Sequence, residues 1–146
     1  MTKVTFEQNS KVRFTAVRYN ISKGAKTMSI QQSTVHSMNL HPQPYEMIKS
    51  GQKTIELRLY DEKRQVIKVG DQIVFTNTAT GETLCAKVVK LHRFDSFKEL
   101  YASLPLLQCG YTPEDIATAA PDDMEQYYSA EKQSKYGVVG IEVSIK

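Results

Sequence analysis

Apolar and polar positions alternate most strictly over residues 53–59, where Ile55, Leu57 and Leu59 fall on one side of an extended chain and Thr54, Glu56 and Arg58 on the other. A period of two with one polar side predicts a half-buried strand. The same signal predicts strands at Gln72–Asn77, at Thr83–Phe94 and over residues 139–145, with a short strand at 38–40. The polar turn 77–82, carrying Gly81, joins two of these as a hairpin. Helical spacing appears between them. Pro44 suits the first turn of a helix through Tyr45, Met47 and Ile48 that stops at Gly51. Ser96 caps a helix bearing Phe97, Leu100, Tyr101 and Leu104, which Pro105 ends. A brief helix follows Asp115, and a clearer one is expected over residues 123–135, with Met124, Tyr127 and Tyr128 on its stripe and a Glu131–Lys135 ion pair one turn apart. Residues 61–65 read as a charged loop. Five or so short strands among three or four short helices, with no βαβ period and no glycine-rich nucleotide loop, predict an α+β fold: a small mixed or antiparallel β-barrel flanked by short helices.

Length and charge change this picture in two places. The 146 residues, 40% hydrophobic, suit one domain. No apolar run approaches the roughly 20 residues that a bilayer crossing needs, so no membrane association is expected. The charge of +3 is uneven: residues 1–35 hold six basic side chains (Lys3, Lys11, Arg13, Arg18, Lys23, Lys26) against Glu7, a net +5, which leaves −2 for residues 36–146. We therefore divide the chain into a basic N-terminal extension, 1–35, and a folded domain, 36–146. The extension reads as an arm against a nucleic-acid backbone, as a poorly ordered tail, or as an accessory strand over 11–19. Two cysteines, Cys85 and Cys109, in no CxxC pair, point to a reducing compartment and a cytoplasmic location. Cys109 reads as a buried or incidental thiol rather than a nucleophile.

Candidate chemistry concentrates at Gly51-Gln52-Lys53-Thr54-Ile55-Glu56-Leu57-Arg58. Thr54, Glu56 and Arg58 share a face by strand parity, and the long stem of Lys53 reaches the same mouth. A lysine, a carboxylate and a guanidinium together can grip phosphate, orient a base edge or activate water; the plainer reading is a solvated strand face. This is not a phosphate-binding Walker loop, because the earlier glycine is missing and a strand follows. His92 and Arg93, beside Phe94, suit recognition of an exposed base, and Tyr128 and Tyr136 are candidates to line a pocket, although packing explains such rings equally well. His36, His41 and His92 have no ligand spacing, so neither metal nor other cofactor is expected.

With these pieces in order, the chain resembles the ASCH domain family, a branch of the PUA-like barrels, from about residue 38 to 145. The resemblance rests on 38–40, on Ile48-Lys49-Ser50-Gly51, on the Lys53 to Arg58 block, on Val69-Gly70-Asp71, on His92-Arg93-Phe94 and on Tyr136-Gly137-Val138-Val139-Gly140-Ile141. It implies a PUA-like barrel with a cleft, an RNA-binding role, and a site at Lys53, Glu56 and Arg58. One branch of the family hydrolyses acetylated cytidine with a lysine and, three residues on, a threonine. Lys53 matches the lysine, and Glu56 stands in the threonine's place, where a carboxylate serves as a base toward water and not as a hydroxyl nucleophile. The expectation is a cleft for RNA or a nucleoside-sized ligand, with Lys53, Thr54, Glu56, Arg58, His92, Arg93, Tyr128 and Tyr136 as its candidate residues. The alternatives are a small hydrolase using Lys53 and Glu56, and a transcription coactivator-type interaction module.

Overall fold

The computed structural model describes residues 10–22 and 25–145, with side chains from residue 32 onward. Six strands form one mixed sheet: β1 (Ser10–Ser22), β2 (Ala25–Leu40), β3 (Ile55–Leu59), β4 (Gln72–Asn77), β5 (Thr83–Phe94) and β6 (Val138–Ile145), in the spatial order β1-β2-β4-β5-β6-β3. All pairs are antiparallel except β2 with β4, which run parallel from Val35 opposite Gln72 to Leu40 opposite Asn77. β1 and β3 are the two edges, so among the described residues the hydrogen bonding is that of an open sheet rather than of the closed barrel expected. The α+β character stands.

Residues 10–22 and 25–35 lie in strands of the sheet. β2 runs unbroken from Ala25 to Leu40, across the boundary drawn at residue 35, and pairs with β1 along its length. The basic side chains proposed as an arm all precede residue 32 and lie outside the described side chains.

Four helices fill the connections: α1 (Pro42–Lys49), α2 (Glu62–Gln65), α3 (Phe97–Ser103) and α4 (Ala130–Tyr136). Pro42 and Pro44 open α1, where missing N–H groups cost nothing. Ser96 caps α3 by accepting from Glu99 N at 3.2 Å. The charged loop expected at 61–65 is instead the short helix α2, because the Asp61 side chain caps it from Arg64 N. The single helix expected over 123–135 is two pieces, a 3-10 turn Pro121–Gln126 and α4, since Ser129 caps a new helix by accepting from Lys132 N at 3.2 Å. Glu131 and Lys135 form no ion pair there.

Two apolar clusters lie on opposite faces of β6. Met38, Ile48, Ile73, Phe75, Val88, Val139 and Ile141 belong to one, and Ile55, Leu57, Leu59, Phe97, Leu100 and Val138 to the other. β3 turns Ile55, Leu57 and Leu59 to the second cluster and is largely buried on its other face too, which corrects the prediction of a half-buried strand: Glu56 is only 5% exposed. Alternation gave the parity of the strand; it could not say that both sides would be roofed.

Candidate functional site

The geometry of the site begins with how β3 is started. Lys53 N donates to Met47 O at 2.9 Å, and Thr54 N and Ile55 N both donate to Gln108 O, at 2.9 and 3.0 Å. The end of α1 and the loop after α3 therefore fix the two residues before the strand. Lys53 sits outside the pleat, and its side chain turns inward to meet Glu56.

Glu56 is the centre of a buried ionic chain. Its Oε1 lies 2.7 Å from Lys53 Nζ and its Oε2 accepts from Arg58 Nε at 2.7 Å. Burial works to raise the Glu56 pKa, but the charges and hydrogen bonds of Lys53 and Arg58 outweigh it, so the carboxyl is held below its ordinary value. Burial likewise opposes the charge on Arg58, and Glu56 more than compensates, raising it. Arg58 Nη2 also donates to the Asn39 carbonyl at 3.0 Å, so the guanidinium spans from β3 to the end of β2. The polar face that sequence parity left open to a solvated reading is a largely buried cluster in which each Glu56 oxygen has a cationic partner.

This chain forms one wall of a cavity of about 530 Å³, within the range of sites for small ligands. Tyr101, Tyr111, Asp123 and Tyr128 also line it. Tyr111 OH donates to Asp123 Oδ2 at 2.7 Å and lies 2.6 Å from Tyr101 OH, giving a phenol–phenol–carboxylate series. Burial, and then its two hydrogen bonds, push the Tyr111 phenol far up, while the bond from Tyr111 and one from Ala120 N hold Asp123 down. Tyr128 stacks on Phe97 with ring centroids 6.2 Å apart. At the cavity's back, Gly110 has φ +110, and a Cβ there would come within 3.2 Å of Lys53 Cδ. Cys109 beside it is buried, its thiol pushed up to about 11 by desolvation.

Of the residues expected at one site, the structure brings together Lys53, Glu56, Arg58 and Tyr128. It does not bring the others. Thr54 precedes β3 and points elsewhere, its Oγ1 donating to Gln108 Oε1 at 3.3 Å. His92 pairs with Glu142 at 2.8 Å and does not line the cavity. Arg93 and Tyr136 line a second, shallower depression of about 480 Å³ with Tyr60 and Lys135. Sequence reasoning missed Tyr101, Tyr111, Asp123 and Gly110. By sequence Tyr101 is only a helix-face residue, and the one local hint for the others is a tyrosine following a glycine in a loop.

A family model described as the ASCH domain matches residues 38–146. The chain belongs to the ASCH domain family. Solved structures agree with an ASCH fold here. The chain is 37% identical to the hypothetical protein PH0355, with a TM-score of 0.63, covering 75% of this chain and 97% of that one. It is 34% identical to protein PF0455 from Pyrococcus furiosus, with a TM-score of 0.58, covering 76% and 96%. The ASCH protein of Zymomonas mobilis shares the fold at 13% identity and a TM-score of 0.53, covering 74% of this chain and 65% of that one. None of the curated proteins compared with the chain matches it. The ASCH match contains every cavity-lining residue named above, while β1 and most of β2 precede it. No helix among the described residues is long and apolar enough to cross a membrane.

Proposed function

We propose that the cavity receives a nucleobase with its ribose, as a free modified nucleoside or as an exposed position of an RNA. The observation that carries this reading is the convergence of Lys53, Glu56 and Arg58 on a cavity of about 530 Å³ that tyrosines also line. Lysine and guanidinium N–H groups left over from Glu56 are donors for keto or phosphate oxygens, and Tyr128 offers a ring face for a base. The net −2 of residues 36–146 fits a short or nucleoside-sized ligand better than a long duplex, whose binding scales with neutralised phosphates. The RNA-binding role implied by the family points the same way.

A hydrolytic reading draws on the same 2.7 Å contact, with Glu56 as base and Lys53 opposite developing negative charge. Against it, the carboxyl is held below its ordinary value by two cations, which makes it a poor proton acceptor. An interaction module would instead need a contiguous exposed apolar face. The exposed large apolar side chains, Val66, Val69, Val89, Leu107, Ile116 and Tyr127, come from separate segments.

Calorimetric titration with the four ribonucleosides, acetylated cytidine and a short single-stranded RNA tests the proposal. Saturable binding of at least one ligand is expected, lost in Lys53→Met and weakened in Asp123→Asn, which also lines the cavity. Binding of none, or binding indifferent to both substitutions, overturns it. Turnover of acetylated cytidine that Glu56→Gln abolishes while its binding is retained would replace recognition with catalysis.

A further inference from the structure

The second depression holds two cations posed over rings. The Arg93 guanidinium lies 4.1 Å from the centroid of Tyr60, and Lys135 Nζ lies 5.0 Å from that of Tyr136. Among the described residues neither cation makes a salt bridge or a side-chain hydrogen bond. A ring face fixes a cation in place without using its N–H groups, so the donors of Arg93 and Lys135 remain available at an exposed surface. Among the described residues Asp95 is the one carboxylate lining the depression, which leaves their charged side chains there at a net +1. Within a domain portion that is net −2, this is a local reversal of sign. The two ends of the depression are held together by Gly137, whose φ of +71 lets the end of α4 approach the end of β5; a Cβ there would meet the Phe94 carbonyl at 3.0 Å.

The depression lies near the cavity along the sheet, although the two share no lining residue. Arg58, in the cavity, and Tyr60, in the depression, are two residues apart on one chain segment, roughly 7 Å at the rise of a strand. Arg58 and Arg93 both pair with Val139, from either side of β6, so they stand about two strand spacings apart, roughly 10 Å. That separation matches the reach from a base to a phosphate of the next few nucleotides.

We infer that Arg93 and Lys135, held over Tyr60 and Tyr136, form a phosphodiester-binding site that grips the backbone of a single-stranded RNA flanking the nucleotide seated in the cavity. The inference rests on the nucleobase reading of the cavity for its register, and on the depression's own geometry for its chemistry. It makes the natural ligand an oligonucleotide and the free nucleoside only its central part. Arg93 supplies a planar fork for a phosphate and Lys135 a point charge, and neither has to leave another partner first.

The test compares wild type with the double variant Arg93→Ala/Lys135→Ala, both surface positions, in two titrations. One uses a labelled single-stranded RNA of about ten nucleotides, inside the usual span of single-strand sites, at several salt concentrations. The other uses the nucleoside that binds the cavity best. The double variant is expected to weaken RNA binding several-fold at low salt and to flatten the log–log salt slope by roughly 1.4, two phosphates at roughly 0.7 each, while nucleoside binding stays as in wild type. RNA affinity and slope unchanged in the variant overturn the site, with nucleoside binding still supporting the cavity. No nucleoside binding, but an RNA affinity that falls in the variant, overturns the cavity reading and keeps the phosphate site. Inorganic phosphate that competes fully with the RNA at submillimolar concentration would make this a free-anion site and overturn the backbone assignment.

Discussion

Glu56 and Asp71 are both carboxylates withdrawn from water, each 5% exposed, and the fold satisfies them differently. Asp71 takes backbone amides: Thr34 N at 3.1 Å and Lys68 N at 2.9 Å, with His36 Nε2 at 2.8 Å. It thereby staples β2 to the turn that starts β4, where the parallel pair begins at Val35 and Gln72. Among the described residues Glu56 takes no backbone donor, only the side-chain cations Lys53 and Arg58. An oxygen bonded to backbone N–H groups is wired into the chain path, whereas one held by rotatable side chains at a cavity wall can share or exchange its partners. Buried ion pairs rarely stabilise a fold more than apolar packing would. Stability alone therefore accounts for Asp71 more readily than for Glu56, and the cavity supplies what is missing.

Removing each carboxylate separates the two roles. Glu56→Gln leaves Lys53 and Arg58 facing each other without compensation, a loss of about 3–5 kcal/mol, read as a fall in Tm on the order of 10 °C for a chain of this size. Asp71→Asn turns donors against donors for a smaller loss of about 1–3 kcal/mol. Glu56→Gln is expected to abolish ligand binding and Asp71→Asn to preserve it at temperatures where both are folded; equal loss of binding would erase the distinction. Acid sharpens it further. Because the folded Glu56 carboxyl sits below its ordinary value of 4.5, its contribution is complete above that pH and is lost as pH falls through the lower folded value. Urea unfolding between pH 7 and 3 should show a stability drop in this window that is absent from Glu56→Gln.

Gly110 tests whether the ionic chain is positioned from behind. With φ +110, alanine there is strained by about 1–3 kcal/mol, and its Cβ would sit 3.2 Å from Lys53 Cδ and 3.4 Å from Nζ. Gly110→Ala is expected to weaken nucleoside binding by more than its change in urea midpoint explains, as Lys53 is pushed off Glu56. An alanine variant with lower stability and unaltered affinity would make Gly110 a backbone requirement only.

How much of this was legible follows the range of the interactions. β4 and β5 were read with their observed ends because alternation and the turn at 77–82 are local signals, and the Ser96 cap of α3 is local too. Lys53, Glu56 and Arg58 were found because one strand brings them together. The other lining residues escaped, because Tyr101, Tyr111 and Asp123 come from α3, a loop and a 3-10 turn that share no period. Arg93 was placed at the cavity since it ends a strand beside an aromatic, yet the pairing of β5 and β3 on either side of β6 sets it two strands away from Arg58. Thr54 obeyed parity only on the assumption that the strand had already begun; the Gln108 carbonyl, which no local pattern announces, delays it.

Cys109 provides the smallest effect and the finest test of the comparison, because its thiol senses Glu56 and not Asp71. Desolvation raises its pKa, Lys53 lowers it and Glu56 raises it, with the net at about 11. In Glu56→Gln the influence of Lys53 is unopposed, so the pH midpoint of Cys109 alkylation by iodoacetamide should move down from the wild-type value. In Asp71→Asn it should stay. Exposed Cys85 reacts in all three proteins and serves as the internal reference for the rate. A midpoint that moves equally in both variants would mean that each substitution merely loosens the loop around Cys109. A shift confined to Glu56→Gln would show the thiol reading the field of the Lys53–Glu56–Arg58 chain from inside the cavity.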